Sequence, residues 1–340
     1  MPLASSIIQE DCQNILKLAP CDWTKLRGKR IFLTGGTGFF GKWFLHSFLH
    51  VNQELQLNAS IVVLSRSPEK FLAQYPFFDN HKELSFIHGD VRDFVFPNGN
   101  FDILIHAATP ASAKLEAENP NEMYSIIVDG TKHALNFAKA TGIKRILLTS
   151  SGAVYGPQPP ELERIPETYP PHPVTAYGRG KYESEKLCLA SGIDTVIARC
   201  FAFVGPYLPL DIHYAIGNFI RDAINGNTII VKGDGRPYRS YMYAADLMIW
   251  LWTVLLEAKS CEIYNIGSET SISIAELARF ISNTIEPNIN YKILANDSLS
   301  NLATRYIPLT QKSKNYLSLK QNYMLKDSLL NTISFIKSHI

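Results

Sequence analysis

Short apolar runs alternate with longer amphipathic stretches along most of the chain, and that alternation sets its architecture. The segments 30–34, 60–65, 84–88, 102–106, 144–149 and 194–199 are brief and rich in Ile, Leu, Val and Phe, as buried strands are. Between them, apolar positions three and four apart predict helices over 40–50, 67–74, 121–141 and 175–191. Such repetition builds an α/β fold on a doubly wound parallel sheet. After residue 200 the rhythm changes. A helix near 214–225, a short strand at 228–231, the Gly233-Asp234-Gly235 turn and a helix at 244–257 are followed by helices at 272–284 and 323–338.

The pattern divides the chain into three parts. Residues 1–28 read as a helical extension ahead of the fold, with Ile7, Ile8, Ile15, Leu16 and Leu18 on one face of an amphipathic helix. Residues 29–200 form the strand–helix domain, and 201–340 mainly a smaller α/β subdomain, with a segment near 240–266 returning to the first. The proline-rich stretch 157–173 is a loop between a strand end and a helix.

Composition narrows the class. A chain of 340 residues with 46% hydrophobic and 19% charged residues can bury a sizeable core. A formal charge of +2 without a Lys/Arg run gives no case for a nucleic-acid partner. The longest apolar run, Leu247 to Leu256, is roughly half the length a membrane span needs, so it reads as a buried helix and no membrane partner is expected. No basic segment leads into an apolar one before Glu10 and Asp11, so no signal peptide is expected. Cys12, Cys21, Cys188, Cys200 and Cys261 are scattered and odd in number, which fits free thiols and a cytoplasmic location. His88, His172 and His213 lack ligand spacing, so no metal is expected.

Two clusters carry chemistry. In Thr34-Gly35-Gly36-Thr37-Gly38-Phe39-Phe40-Gly41, three glycines (35, 38 and 41) sit between a strand and a helix. There glycine permits a tight turn, lets backbone approach a pyrophosphate, and presents it to the positive end of the helix. Downstream, Tyr177 and Lys181 stand at i and i+4 and share a helix face, while Ser151 lies in Thr-Ser-Ser-Gly-Ala-Val-Tyr-Gly. A cation beside the phenol favours phenolate and pulls a tyrosine pKa of about 10 toward neutrality. A tyrosine so placed exchanges a proton with a sugar or alcohol hydroxyl while hydride passes to or from a nicotinamide, and Ser151 bonds the same oxygen. The second strand ends in Ser65-Arg66-Ser67, where an NAD site offers an acid to the ribose hydroxyls. A hydroxyl and a guanidinium suit a 2′-phosphate, which favours NADP(H). The alternative is that Arg66 stacks on adenine and NAD is used.

These motifs, from about Lys29 to Pro308, resemble the extended short-chain dehydrogenase/reductase family in its nucleotide-sugar epimerase, dehydratase and decarboxylase branch. The resemblance implies a Rossmann-type first domain and a substrate-binding second one, with the proline-rich loop as a lid. It assigns Asp90 and Val91 of Gly89-Asp90-Val91-Arg92-Asp93 to adenine, and Ala107, Ala108 and Thr109 of His106-Ala107-Ala108-Thr109-Pro110-Ala111-Ser112 to the nicotinamide ribose. Ser151, Tyr177 and Lys181 take the catalytic positions. Ser112, Asn218, Arg239 and Arg305 fall to a nucleotide-sugar substrate, the arginines as forks for its diphosphate. A homodimer through helices 121–141 and 175–191 is implied. Tyr124, Ile127, Val128, Leu135 and Ala138 recur there at helical spacing, or else face the sheet.

The departures from the family pattern bear on the reaction. Family dehydratases and decarboxylases carry a carboxylate one or two residues after the catalytic Ser/Thr, where this chain has Gly152 and Ala153. Two family asparagines are replaced by Ile127 and Ala202, making the pocket less polar. The resemblance thus implies oxidation or reduction at C4 of a nucleotide-activated hexose, as an epimerase or 4-ketoreductase supplying surface polysaccharides. Two alternatives stay open. One is a 4,6-dehydratase or decarboxylase whose acid comes from elsewhere, such as Glu161, Glu163 or Glu167 in the proline-rich loop. The other is a non-catalytic dinucleotide sensor.

Overall fold

A computed structural model describes residues 3–110, 112–210, 214–285, 288–294 and 303–338; Ala111 and His213 lie outside the described residues. The strand segments of the first domain form β1 (Arg30–Thr34), β2 (Ser60–Ser65), β3 (Leu84–His88), β4 (Ile103–His106), β5 (Arg145–Ser151) and β6 (Asp194–Cys200). The short strands β7 (Phe203–Val204), β8 (Ile229–Val231), β9 (Tyr238–Ser240) and β10 (Met242–Tyr243) follow, and β11 (Ile263–Ile266) returns to pair with β6. The seven-stranded sheet runs β11-β6-β5-β4-β1-β2-β3, each neighbouring pair parallel. The strand order reverses between β1 and β4, which opens a crevice at their carboxyl ends, the place where doubly wound sheets hold ligands.

Helices cover both faces of this sheet, so its strands are apolar on both sides. On one face lie α2 (Phe39–Glu54) and α8 (Ala244–Glu257), with α1 (Leu3–Leu18) packed across both. The helices α3 (Pro68–Gln74) and α4 (Ala113–Glu118) are short. On the other face lie α5 (Pro120–Thr141) and α6 (Ala176–Leu189). The run from Leu247 to Leu256 is interior to α8, with Trp250 and Trp252 fully buried. Among the described residues no helix is long and apolar enough to cross a membrane.

Residues 1–28 differ from the extension expected. Ile8, Cys12 and Ile15 of α1 are buried in the main core, and Asp11 accepts hydrogen bonds from the Tyr243 hydroxyl at 2.6 Å and the Tyr323 hydroxyl at 3.0 Å. The apolar face of this amphipathic helix is the one that closes over α2 and α8.

The second subdomain gathers α7 (Ala215–Ile224), α9 (Ile274–Thr284) and α11 (Leu325–Lys337) around a separate core, while α10 (Gln311–Leu317) packs against β11 and α8. The helix expected over 272–284 begins later. Ser273 caps α9 by accepting the Glu276 N–H, and Glu276 reaches back to the Ser273 N–H, leaving Ser271–Ser273 as strand β12. Strand β13 (Tyr291–Ile293) pairs with β8, and β14 (Arg305–Tyr306) with β9. The proline-rich loop is tied to this second part. The Ile165 N–H donates to Ile307 O and the Leu309 N–H to Ile165 O, both at 2.9 Å, and Gln158 Oε1 accepts the Ile307 N–H at 2.9 Å.

Candidate active site

The glycine turn is built to bring backbone close. Gly35 has φ +75°, and a Cβ there would lie 2.5 Å from Ala107 O at the end of β4. A Cβ on Gly41 would lie 2.3 Å from Gly36 Cα, so the helix can sit on the strand only without one. Gly38 is the N-cap of α2 and supplies no side-chain oxygen to the helix's free N–H groups. An uncapped positive helix end behind such a turn fits the pyrophosphate of a dinucleotide. Thr37 lies in the turn itself, while Phe39 and Phe40 open α2, with Phe40 packing edge-on against Phe203 at 5.2 Å.

Beside the turn, buried polar groups tie β1 to β4. Thr34 Oγ1 accepts the Ala107 and Ala108 N–H groups at 3.2 and 3.1 Å, so its own proton goes to His106 Nδ1 at 2.8 Å. His106 then carries its proton on Nε2 and donates to Thr131 Oγ1 at 3.1 Å. Burial holds this imidazole neutral, with its pKa lowered to about 3.

Ser151 ends β5, and its Oγ accepts the Ala153 N–H at 3.1 Å. Tyr177 lies in the first turn of α6. That turn is fixed by Thr175 Oγ1, which accepts the Gly178 N–H at 2.9 Å, and by the Glu116 carboxylate of α4, which accepts the Ala176 and Tyr177 N–H groups at 2.7 and 2.8 Å. The Ser151 hydroxyl faces the Tyr177 phenol and favours its ionised form. Lys181 is buried, donates to Thr149 O at 2.7 Å and to Thr109 Oγ1, and its Nζ stands 6.0 Å from the Tyr177 ring centre.

The electrostatics differ from those expected of a Tyr–Lys pair. Burial pushes the Tyr177 phenol well above its ordinary value, and Tyr306, Tyr214 and Cys200 add to the rise. Burial also lowers Lys181 to about 8. The lysine is turned onto Thr109 and the Thr149 carbonyl, so desolvation outweighs any help it gives the phenolate.

The residue that sequence reading passed over is Tyr306. Its hydroxyl lies 3.4 Å from Ser151 Oγ, and its ring sits 4.7 Å from that of Phe201. A Cβ on Gly152 would come within 2.7 Å of the Phe201 ring and 2.8 Å of the Tyr306 hydroxyl. The space beside Gly152 is thus filled. Glu161 and Glu163 are exposed, and the Glu167 carboxylate accepts the Asn265 N–H at 2.9 Å. Tyr155 is a packing residue whose hydroxyl donates to Asn265 Oδ1 at 2.8 Å.

Alternation along β14 separates its two residues, because successive side chains face opposite ways. Tyr306 pairs with Arg239 and reaches Ser151, whereas Arg305 pairs with Tyr238 and its guanidinium stands over that ring at 4.6 Å. Arg239 therefore shares the Ser151 side of the strand, and Arg305 does not. Asn218 Oδ1 accepts from Arg221 at 3.1 Å, and Ser112 Oγ caps α4 by accepting the Leu115 N–H at 3.1 Å. At the other end of the crevice Arg66 is exposed, while the buried Ser65 accepts the Ser67 N–H at 3.2 Å. Asp90 is paired with Arg92 at 2.9 Å and also feels Arg66, and Val91 fills the space Gly130 leaves on α5.

Comparison with known proteins agrees with this geometry. The model of the NAD dependent epimerase/dehydratase family matches residues 31–267. UDP-glucuronic acid decarboxylase 3 of Arabidopsis thaliana is 30% identical, the match covering 78% of this chain and 78% of that one. UDP-glucuronic acid decarboxylase 2 of the same plant is 29% identical over 80% of this chain, which spans only 60% of that protein's length. The crystal structure of UDP-glucuronic acid 4-epimerase from Bacillus cereus, in complex with UDP-glucuronic acid and NAD, superposes with a TM-score of 0.78 at 20% identity. That match covers 92% of this chain and all of the other.

Proposed function

Because the chain belongs to the NAD-dependent epimerase/dehydratase family, we propose that it oxidises or reduces C4 of a nucleotide-activated hexose, as an epimerase or a 4-ketoreductase. The observation that carries the reading is the meeting of Ser151 and Tyr177, beside a buried Lys181, at the same end of the sheet as the glycine turn. Tyr177 gives its proton to a C4 ketone oxygen, or as phenolate takes the proton of the C4 hydroxyl in the opposite direction. Ser151 orients that oxygen, and Lys181 brings positive potential to the ribose side. The glycine turn, Asp90, Val91 and Ala107 to Thr109 would hold a nicotinamide dinucleotide, which when bound would supply or accept the hydride. Arg239 and Asn218 take the diphosphate, with Ser112 at the sugar; Arg305 joins them only by reaching around its strand.

A second reading follows from the similarity to UDP-glucuronic acid decarboxylases. Oxidation at C4 of a hexuronate makes a β-keto acid, which loses CO₂ readily, so the same Ser151–Tyr177 pair could serve. Against it, the two residues after Ser151 are Gly152 and Ala153, with no carboxylate there, and the Tyr306 phenol fills the space beside Gly152. The test is to incubate the protein and nicotinamide dinucleotide, oxidised or reduced, with UDP-, dTDP-, CDP- and GDP-hexoses, their 4-keto forms and UDP-glucuronic acid, following products by mass and NMR. An unchanged mass with inverted C4 establishes the epimerase, and a gain of two hydrogens on a 4-keto sugar the reductase. Loss of CO₂ or of water overturns both in favour of the decarboxylase or dehydratase.

We further propose NADP(H) over NAD, on the exposed Arg66 guanidinium beside the Ser65 hydroxyl. Replacing Arg66 with Ala should weaken NADP(H) by about 1.5–3 kcal/mol and leave NAD(H) nearly unchanged, as fluorescence titration would report. Equal effects on the two, or a purified protein holding only NAD, would refute the preference. A homodimer through α5 and α6 is proposed as well, in the reducing cytosol that five free cysteines favour. Ile127, Val128, Leu135 and Ala138 are buried within the subunit, which leaves Tyr124 as the surface member of that stripe. Light scattering at micromolar concentration decides it.

A further inference from the structure

Tyr177, Lys181 and Glu185 stand at successive turns on one face of α6. The chemistry proposed above uses the first two and leaves the third, a carboxylate that is 1% exposed. Its partners lie on two strands. Arg199 of β6 grips it as a fork, Nε donating to Oε1 at 3.0 Å and Nη2 to Oε2 at 2.7 Å. Ser150 of β5, directly opposite Arg199 in the sheet, donates its hydroxyl to Oε1 at 2.5 Å. The guanidinium rests on the Tyr155 ring at 4.7 Å, and the hydroxyl of that ring is tied to Asn265 of β11.

A buried pair of this kind does little for stability, because desolvation of the two charges offsets their attraction and apolar side chains could fill the same space. What it does fix is geometry. Ser150 is the residue between Ser151 and Thr149, whose carbonyl accepts from Lys181 Nζ at 2.7 Å. Its hydroxyl is held by a carboxylate that Arg199 holds in turn. The end of β5 therefore cannot slide on α6 without breaking a charged hydrogen bond in the interior. The Lys181 ammonium, resting on the Thr149 carbonyl, is placed by the same bond.

We propose that Glu185, braced by Arg199, is a positioning residue for Lys181: by holding the Ser150 hydroxyl it sets the Thr149 carbonyl on which the ammonium rests. This rests on the reading of Lys181 as a group that serves the dinucleotide and the C4 chemistry. Glu185 and Arg199 are too deeply buried to meet a ligand, so they act only through β5 and α6.

Ser150→Ala leaves the Glu185–Arg199 pair whole and cuts only its tie to β5. Fluorescence titration with nicotinamide dinucleotide should show affinity weakened about three- to tenfold, the size of one hydrogen bond. Glu185→Asp, which keeps the charge beside Arg199 but is too short to reach Ser150, should do the same. In Lys181→Met, Ser150→Ala should cost nothing further, because Ser150 acts through Lys181. The weakening should also be confined to pH below about 8, where Lys181 carries its charge. Tyr177, His106, Cys188 and Cys200, the other titratable groups around it, stay neutral between about pH 6 and 9, the imidazole lowered to about 3 and the two thiols raised to about 12. An unchanged affinity, an equal loss in the Lys181→Met background, or a loss of the same size at about pH 9 overturns the proposal. If the binding results come out as expected but the wild type turns over no nucleotide hexose, the positioning role stands and the C4 reading falls.

Discussion

At Tyr177 the contest is between desolvation and a nearby cation, and desolvation prevails because Lys181 is drawn aside. Removing the phenol proton removes what the site transfers. Tyr177→Phe should therefore lose roughly 10²–10⁴-fold in turnover while binding dinucleotide normally, measured by steady-state rates beside a fluorescence titration. Lys181 titrates near 8, so the contribution of its ammonium should fade as pH rises through that value. Lys181→Met should lower both rate and dinucleotide affinity and lose that limb of the pH–rate profile; an unaltered limb would assign the titration to another group. Gly152→Ala should push Phe201 and Tyr306 away from Ser151, at an overpacking cost of about 1–3 kcal/mol in a denaturant melt. The motif residues Ser151, Tyr177 and Lys181 were legible from spacing alone. Tyr306 was not, because its role depends on a strand pairing more than a hundred residues away from Ser151.

Among the elements, α6 owes the position of Tyr177 to its first turn. The Glu116 carboxylate takes two N–H groups that the helix cannot satisfy itself, and it lies favourably at the helix's positive end. Glu116→Ala should cost about 1–2 kcal/mol in chemical denaturation and reduce kcat although the residue touches no reacting atom. A variant with wild-type stability would remove α4 from the account. Sequence periodicity located the strands and helices of the first domain to within a few residues, since long uniform elements carry a strong signal. It located β8 but missed α4, α10 and the other two- and three-residue strands. Of these, α4 starts where Ser112 caps a turn and β12 and β14 take the two edges of β9, and neither cause has a period in the sequence. Alternation along β14 likewise decides which of Arg239 and Arg305 shares a side with Ser151, and a list of arginines cannot reveal that.

Over the whole molecule, Asp11 joins the first helix to the far end of the chain through Tyr243 and Tyr323. Burial raises its pKa to about 7, from about 3.9 when unfolded. Between those values the folded state holds more protons than the unfolded one, so this group's contribution to stability falls as pH rises from about 4 to 7. Asp246, raised to about 6, acts in the same sense. His46 and His106, buried and lowered to about 3, act oppositely, and the folded state gains from them as pH rises toward about 6.5. The wild-type curve is therefore a balance, and a difference isolates Asp11. Asp11→Asn should gain in stability relative to wild type between pH 5 and pH 8, by an amount on the order of 2–4 kcal/mol at most, measured by calorimetry at both. A constant difference would mean the carboxyl titrates normally. Such a carboxyl could not be recognised from the helix's apolar stripe, since its burial depends on residues over two hundred positions downstream.

The filled space beside Gly152 also has a meaning for descent. An acid at that position would have to displace Phe201 and Tyr306, since a Cβ there already comes within 2.7 and 2.8 Å of them. Gly152, Phe201 and Tyr306 are therefore expected to be inherited, or exchanged, as a set.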